Sequence, residues 1–562
     1  MQFKLGFAST LTLGILFSFV CTICGSLLYL TNFLSAPVLI VLVMGFSFLS
    51  WLISPSIQDC IISWIYKARI ISFEQFLSEN PQAGELIKKI CDEHNFKIPT
   101  IRKINDLNPT AFCYGSYPGN SRIAYSSGLN HYLNEDEFTA VIAHEMGHIV
   151  NKDFIVMTIA STLLQLLYTL YVVLTKSRRN DSKSVLPLIG LASYILYLIG
   201  NYLLLYLSRT REYLADRFSA SATNNPNALS SALIKIAYGI TEQPKTERNL
   251  LEGTRAMGFF DYKSSDALSA RCKSAVMERN RYRGETETMV VTEIDTDTEA
   301  KNSMSIIGIE KIFLFDLYNP WAFISELNST HPLTAKRIKA MSDMALEMRL
   351  KQPYNFESVD IYGRVIDKGR MYRQFFTEVA ISYLPYIAAF GALLTMFWYS
   401  QSAILIPIFI GLGLIVQNYY RYSVHTGFKK TTIFELMCNP YASPIKGEPC
   451  EIDGIIIGRT DAGNKYSSGM TLQDGSSSII NLNYLSIFGP IGNFFFGWLK
   501  VESLIPRGAT VTGWFRRSVS QIIDLKEMSV NHQRIASYPH IWGYLLGIIV
   551  MVLGVFILGQ VH

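Results

Sequence analysis

Two histidines four residues apart, with a glutamate directly after the first, stand at His144-Glu-Met-Gly-His148. Asn134 is a good N-cap, and Glu137 three residues later completes a capping-box pattern. Phe138, Val141, Ile142 and Ile149 then recur at helical spacing, so the segment reads as a helix with one buried face. Residues four apart project from the same side of a helix, which lets His144 and His148 share one metal ion. From its place beside the first ligand, the Glu145 carboxylate can reach a metal-bound water. The competing reading is two helical histidines on a wet face, with Glu145 merely solvated.

A catalytic zinc takes three protein ligands and keeps one position open. A third ligand is on offer in Ser208-Arg-Thr-Arg-Glu-Tyr-Leu-Ala-Asp216, which an uncharged run at 185–208 enters with no Gly or Pro after residue 200. The helix should therefore continue out of that run. Glu212 and Asp216 are again four apart on one face. Glu212 would complete the ligand set, and Asp216 would accept a hydrogen bond from His144. Alternatively, both carboxylates pair with Arg209, Arg211 or Arg217 on a helix beside a membrane.

The elements that must position these residues belong to a membrane chain. Of 562 residues, 49% are hydrophobic and 17% charged, against about 25% charged in an ordinary soluble domain. Charge so scarce excludes a disordered chain. Fifty basic against 45 acidic residues leave a formal +5, too mild to suggest a nucleic-acid partner. The eight cysteines are scattered, which implies neither a disulfide framework nor a Cys-rich zinc site. No charge falls between Lys4 and Asp59, room for two spans at 6–30 and 37–53. Further apolar runs at 154–175, 185–208, 379–420 (double length) and 540–560 bring the expected number of transmembrane helices to seven. Basic residues at Lys67, Arg69, Arg364, Lys368, Arg370, Arg373, Arg421, Lys429 and Lys430 place 55–153, 209–377 and 421–538 on the cytoplasmic side. Lys176, Arg178, Arg179 and Lys183, between the third and fourth spans, run against that orientation.

Outside the apolar runs, 68–153 reads as mixed α/β, with a helix at 73–93 and short strands within 101–115 and 123–126. The segment 241–302 is polar and reads as a surface loop or lid. Between 440 and 530, Val/Ile-rich segments separated by turns such as Asp474-Gly475 suggest a small β-barrel or sandwich. Inside it, 485–499 carries Phe488, Phe494, Phe495, Phe496 and Trp498. That stretch reads first as a core element, and otherwise as a contact for lipid or substrate.

Together with Ser329-Thr-His-Pro-Leu-Thr-Ala-Lys-Arg-Ile338, the two metal motifs resemble the membrane-embedded zinc metalloproteases of the HtpX and CAAX prenyl protease group, in the same order and with a membrane hairpin between the first two. The resemblance covers roughly 68–345. It implies a gluzincin fold in which His144, His148 and Glu212 hold one Zn2+, Glu145 is the catalytic base and His331 stabilises the tetrahedral intermediate. His331 could equally begin a helix, since Pro332 suits a first turn. Arg337 matches the same motif, as a structural salt bridge or a substrate contact. The substrate-side strand of the family resembles Pro109-Thr-Ala-Phe-Cys-Tyr-Gly115, where Thr110 stands in place of the usual Asn. Thr110, Ala111 and Phe112 would then pair with a substrate backbone.

The expected architecture is a mainly helical membrane protein: two transmembrane helices in 1–54, a gluzincin-like α/β metalloprotease domain in 55–345 with its hairpin at 154–208 and the insertion at 241–302, a connector at 346–378, a helix pair at 379–420, a β-rich domain at 421–538 and a last helix at 539–562. Its expected work is zinc-dependent cleavage of membrane or membrane-proximal polypeptides in quality control, with the bilayer as its other partner. Prenyl-protein processing, or a silent membrane adaptor, are the alternatives.

Overall fold

The computed structural model describes residues 15–24, 35–65, 68–105, 109–176, 185–242, 310–352, 354–395, 405–424, 427–460, 466–476, 478–518, 521–531 and 533–561. Most of the insertion at 241–302 and the loop 177–184 lie outside them. The chain divides into two compact units, one built from Met1–Gly239 and Glu326–Pro353, the other from described residues 310–325 and Tyr354–His562.

In the first unit, helix Ser35–Ile65 runs from an apolar half into Asp59, which anchors a four-stranded sheet. Asp59 receives Arg102 and Arg122, both at 3.1 Å, and the Tyr114 hydroxyl at 2.7 Å. The sheet has strands β1 (Arg69–Ile70), β2 (Thr100–Ile104), β3 (Ala111–Gly115) and β4 (Ser121–Ser126) in the order β1-β2-β4-β3. β3 is therefore an edge, paired only with β4 among the described strands. The helix expected at 73–93 is two, Phe73–Glu79 and Pro81–His94, because Pro81 begins a new first turn. Two long apolar helices, Asp153–Lys176 and Leu186–Thr223, form the hairpin. Leu164, Leu167, Leu170 and Leu174 pack there against Leu16, Val20 and Ile23 of the helix at 15–24.

The second unit carries helices Lys368–Thr395, Leu405–Arg421 and Pro539–Val561 beside a barrel. Strands β6 (Glu448–Arg459), β7 (Met470–Asp474), β8 (Ile479–Asn483), β9 (Arg507–Arg517) and β10 (Gln521–Val530) close on themselves, since β9 bridges β10 and β6. All neighbours are antiparallel except β8 and β10. This is a five-stranded Greek-key barrel with OB-fold connectivity; short strands β5 (Lys429–Lys430) and β11 (Gln533–Ala536) extend it. Ile452, Leu472, Leu482, Val511, Ile523 and Leu525 point inward and are buried.

Four helices of the two units are long and apolar enough to cross a bilayer: Asp153–Thr175, Leu186–Thr223, Lys368–Leu394 and Pro539–Phe556. The chain is a mainly helical membrane protein. The stretch 485–499, read from sequence first as core, instead leaves Phe488, Ile491, Phe494, Phe495, Trp498 and Leu499 exposed. Only Phe496 among its phenylalanines turns inward, to stack on Tyr484. Alternating hydrophobicity cannot tell a buried helix from one whose apolar face is left outside, so composition misled here.

Candidate metal centre

Helix Glu135–Val150 begins under the capping box the sequence suggests. The Glu137 amide donates to Asn134 Oδ1 and the Asn134 amide to Glu137 Oε2, both at 2.9 Å. Farther along, a Cβ on Gly147 would lie 3.1 Å from both Ala215 Cα and Phe218 Cβ. Any side chain here would make the two helices give by a few tenths of an ångström, so glycine suits so close an approach to Leu186–Thr223. That close approach, with Ser219 Oγ donating to the Ala140 carbonyl at 2.6 Å, brings Glu212 across from the two histidines.

The donor atoms converge. His144 Nε2 and His148 Nε2 are 3.1 Å apart, and Glu212 lies 3.7 Å from the first and 3.5 Å from the second. Tetrahedral sites with bonds near 2.0–2.1 Å have ligand-to-ligand edges of about 3.3 Å. Each histidine presents its other nitrogen to a carboxylate: His144 Nδ1 is 3.0 Å from Asp216 Oδ1, and His148 Nδ1 is 2.6 Å from Asp153 Oδ2. Those contacts put the ring protons on Nδ1 and leave two Nε2 lone pairs facing each other. Glu212 Oε2, also buried, has no hydrogen-bond partner among the described residues. Two lone pairs and a carboxylate oxygen that accepts no hydrogen bond, with the Arg337 guanidinium 3.6 Å behind it, are spaced for a cation between them, so the residues fit a metal.

Each carboxylate is in turn held by an arginine. Arg337 grips Asp216 with two bonds of 2.9 and 2.6 Å, and Arg211 pairs with Asp153. Arg337 thus has the geometry of a salt bridge, and it sits off the cavity wall. Burial works against its charge, but Asp216 beside it more than offsets that and holds its pKa above the ordinary value. Asp153 was not foreseen from the sequence. It reaches His148 because Lys152 adopts φ +57°, a left-handed turn rare for a side-chain-bearing residue. An acid five residues past the second histidine was the signal available, but helical spacing alone points it elsewhere.

His331 sits on the loop before helix Thr334–Glu347, three residues ahead of the helix's first residue, so Pro332 does not open a helical turn. Arg209 holds this loop by donating to the carbonyls of Glu326 and Ser329 at 2.7 and 2.8 Å. His331 Nε2 comes within 3.6 Å of Glu212 Oε1.

A cavity of about 940 Å³ opens on Glu145, His148, Glu212 and His331. From the sheet, its wall is Cys113, Tyr114 and Gly115. Thr110, Ala111 and Phe112 are buried instead: the Thr110 amide bonds to Ser126 Oγ at 2.9 Å, and Phe112 packs with Ile62, Ile104 and Ala124. Helix Ser35–Ile65 adds Ser47, Ser50, Ser54 and Gln58 to the wall, and helix Asp153–Lys176 adds Thr158, Thr162, Gln165 and Thr169. Both sets recur every three or four residues, so each apolar helix turns one hydroxyl and amide stripe toward the cavity. Burial pushes the Glu145 carboxyl up to about 7 and the His144 imidazole down to about 4. The Cys113 thiol is also driven well up, by burial first and then by Glu145 beside it.

The family model described as peptidase family M48 matches residues 78–345, a segment that contains all three motifs. A protease HtpX homologue of Pyrococcus abyssi is 36% identical over 199 residues, 34% of this chain and 67% of its own length. Another, from Methanothermobacter thermautotrophicus, is 28% identical over 253 residues, 44% of this chain and 92% of its own. The crystal structure of S. mikatae Ste24p aligns over 43% of this chain and 60% of that one, at 20% identity and a TM-score of 0.28, too slight a likeness to bear on the fold. With the motifs in order inside the matched segment and more than a third of the aligned residues shared with the first relative, the chain belongs to peptidase family M48.

Proposed function

We propose that the chain is a zinc endopeptidase that cuts membrane or membrane-proximal polypeptides, with residues 55–345 as its peptidase part and His144, His148 and Glu212 as the metal ligands. The convergence of those three donors beside Glu145, in a cavity wide enough for a peptide, is the observation that carries this reading. Two histidines and one carboxylate with an open side form the set that catalytic zinc takes. When bound, such an ion lowers the pKa of its water to about 7 and polarises the scissile carbonyl.

The chain's own residues supply the rest. Glu145, buried and poised near neutrality, takes the proton of the attacking water and returns it to the leaving amine. His331, held over the site by the Arg209-braced loop, donates toward the oxyanion; losing such a donor costs about 10²–10³ in rate. The strand β3, an edge with Cys113–Gly115 on the cavity wall, offers main-chain groups to an extended substrate. Quality-control cleavage is the first reading and prenyl-protein processing the alternative, since the cavity presents Phe46, Trp51, Phe154, Met157 and Leu204 beside its hydroxyl and amide stripes. Seven spans with the peptidase part and the barrel on the cytoplasmic side agree with most of the basic residues, those at 176–183 excepted.

The test pairs two variants of the purified full-length protein. Glu145→Ala should keep its metal and lose cleavage of an unfolded membrane protein, whereas His148→Ala should lose both. Wild-type turnover by Glu145→Ala, or full metal content in His148→Ala, would overturn the assignment.

A further inference from the structure

In the second unit, the connection from β8 to β9 is not a plain loop. Residues 489–504 form one continuous helical stretch, α-helical at Gly489–Phe496, with a wider π turn at Gly497–Val501 and a last α turn at Glu502–Leu504. Its inward side is well seated. Val501 and Leu504 are buried, Phe496 stacks on Tyr484 at 3.7 Å between ring centroids, and Arg459 donates to the Gly497 carbonyl at 2.8 Å. The outward side is different in kind. From 487 to 499 the exposed residues are Ile487, Phe488, Pro490, Ile491, Phe494, Phe495, Trp498 and Leu499. They recur at helical spacing, with no polar side chain among them, and Phe488 and Ile491 are 76% and 69% exposed. Charge returns only at Lys500 and Glu502. Soluble proteins rarely leave so continuous an apolar face to water.

What meets this face is indicated by where its first residues are tied. The Tyr538 amide donates to the Leu485 carbonyl at 2.7 Å, the Leu485 amide donates to Ser537 Oγ at 2.9 Å, and Trp542 Nε1 donates to the Ser486 carbonyl at 3.0 Å. Gly489, at φ +59°, leaves no room for a Cβ, which would meet the Trp542 ring at 2.8 Å. Ser537, Tyr538 and Trp542 mark the start of Pro539–Val561, a helix long and apolar enough to cross the bilayer, whose own Leu545, Ile549 and Val552 are exposed in the same way. The apolar face thus begins where the chain enters hydrocarbon. A tryptophan on that face and another at the start of the span are the residues that settle at the headgroup level.

We propose that residues 487–499 form a membrane-dipping foot, which lies in the bilayer interface beside the last span and seats the barrel on the lipid surface. The occupant of the face is lipid: acyl chains against Phe488, Ile491, Phe494, Phe495 and Leu499, with Lys500 at the headgroups. Short interfacial helices of this kind bury their apolar side at the boundary of headgroups and acyl chains.

The experiment places an environment-sensitive fluorophore on single cysteines in the otherwise cysteine-free full-length protein, reconstituted in phosphatidylcholine–phosphatidylglycerol vesicles. Phe488→Cys, Phe495→Cys and Leu499→Cys report the foot, and Gln533→Cys on β11 is the aqueous control. With lipids brominated on their acyl chains, the three foot probes should lose about half their emission or more, as expected for a group at that depth. They should also be shielded from aqueous iodide, and the control should behave in the opposite way. Foot probes quenched by iodide but not by bromine would show the face in water and overturn the proposal. Probes shielded from both quenchers would assign the face to a protein partner or a second copy, and would overturn it equally.

Discussion

The two histidines of the metal centre are held by relays of the same composition in different surroundings. His144–Asp216–Arg337 is sealed, with side chains 0, 0 and 1% exposed; His148–Asp153–Arg211 borders the cavity, at 14, 9 and 9%. Identical chemistry therefore carries different duties. In the sealed relay no water can replace a lost partner, so it doubles as a structural tie between helix Leu186–Thr223 and the helix after His331. Water can enter the second relay from the cavity, so its service is to orient one ligand.

Substitutions can break this contrast. The largest effect is expected from Asp216→Ala, which takes from buried Arg337 the carboxylate that grips it with two bonds and leaves it Glu212 at 3.6 Å; breaking such a buried pair costs about 3–5 kcal/mol, read as a fall in unfolding midpoint. Gly147→Ala should follow, at about 1–3 kcal/mol, because the new methyl must push the two site helices apart. Asp153→Asn is predicted to fold nearly as wild type yet bind its metal about 10–100-fold more weakly, measured by competition with a chelator. If Asp153→Asn instead cost as much stability as Asp216→Asn, the two relays would be equivalent and the contrast would fail. Smallest is Lys152→Gly, where relief of the left-handed turn and added backbone freedom nearly cancel, for a change below about 1 kcal/mol. Lys152→Val at the same place should be clearly worse, because a β-branched residue resists that conformation. Metal affinity should fall with it as Asp153 swings away from His148.

Much of this centre was legible from local rules. Asn134 and Glu137 start the site helix, four-residue spacing puts His144 with His148 and Glu212 with Asp216, and the apolar run at 185–208 does continue as one helix through Thr223. Position along a helix decides which residues share a face, and that needs only the sequence. The less visible parts depend on turns and on contacts between distant segments. Asp153 reaches the site through one residue with positive φ. Arg209 and Arg211 sit two apart on one helix, yet one grips the His331 loop and the other Asp153. On β3, alternation along a strand says that neighbours face opposite ways, but not which set faces the cavity; the side chain beside Glu145 is Cys113, with Phe112 and Tyr114 together in the core.

The amino-acid sequence by itself determined the ligand candidates, their helices, the membrane class of the chain and the family to which it belongs, because each depends on residue type and short-range periodicity. Tertiary structure decided which arginine serves which carboxylate and which part of β3 faces the site. It also decided that the aromatic stretch after β8 turns outward. Those outcomes come from packing between segments far apart in the chain, where a single backbone turn or a missing side chain redirects a contact that no local pattern encodes.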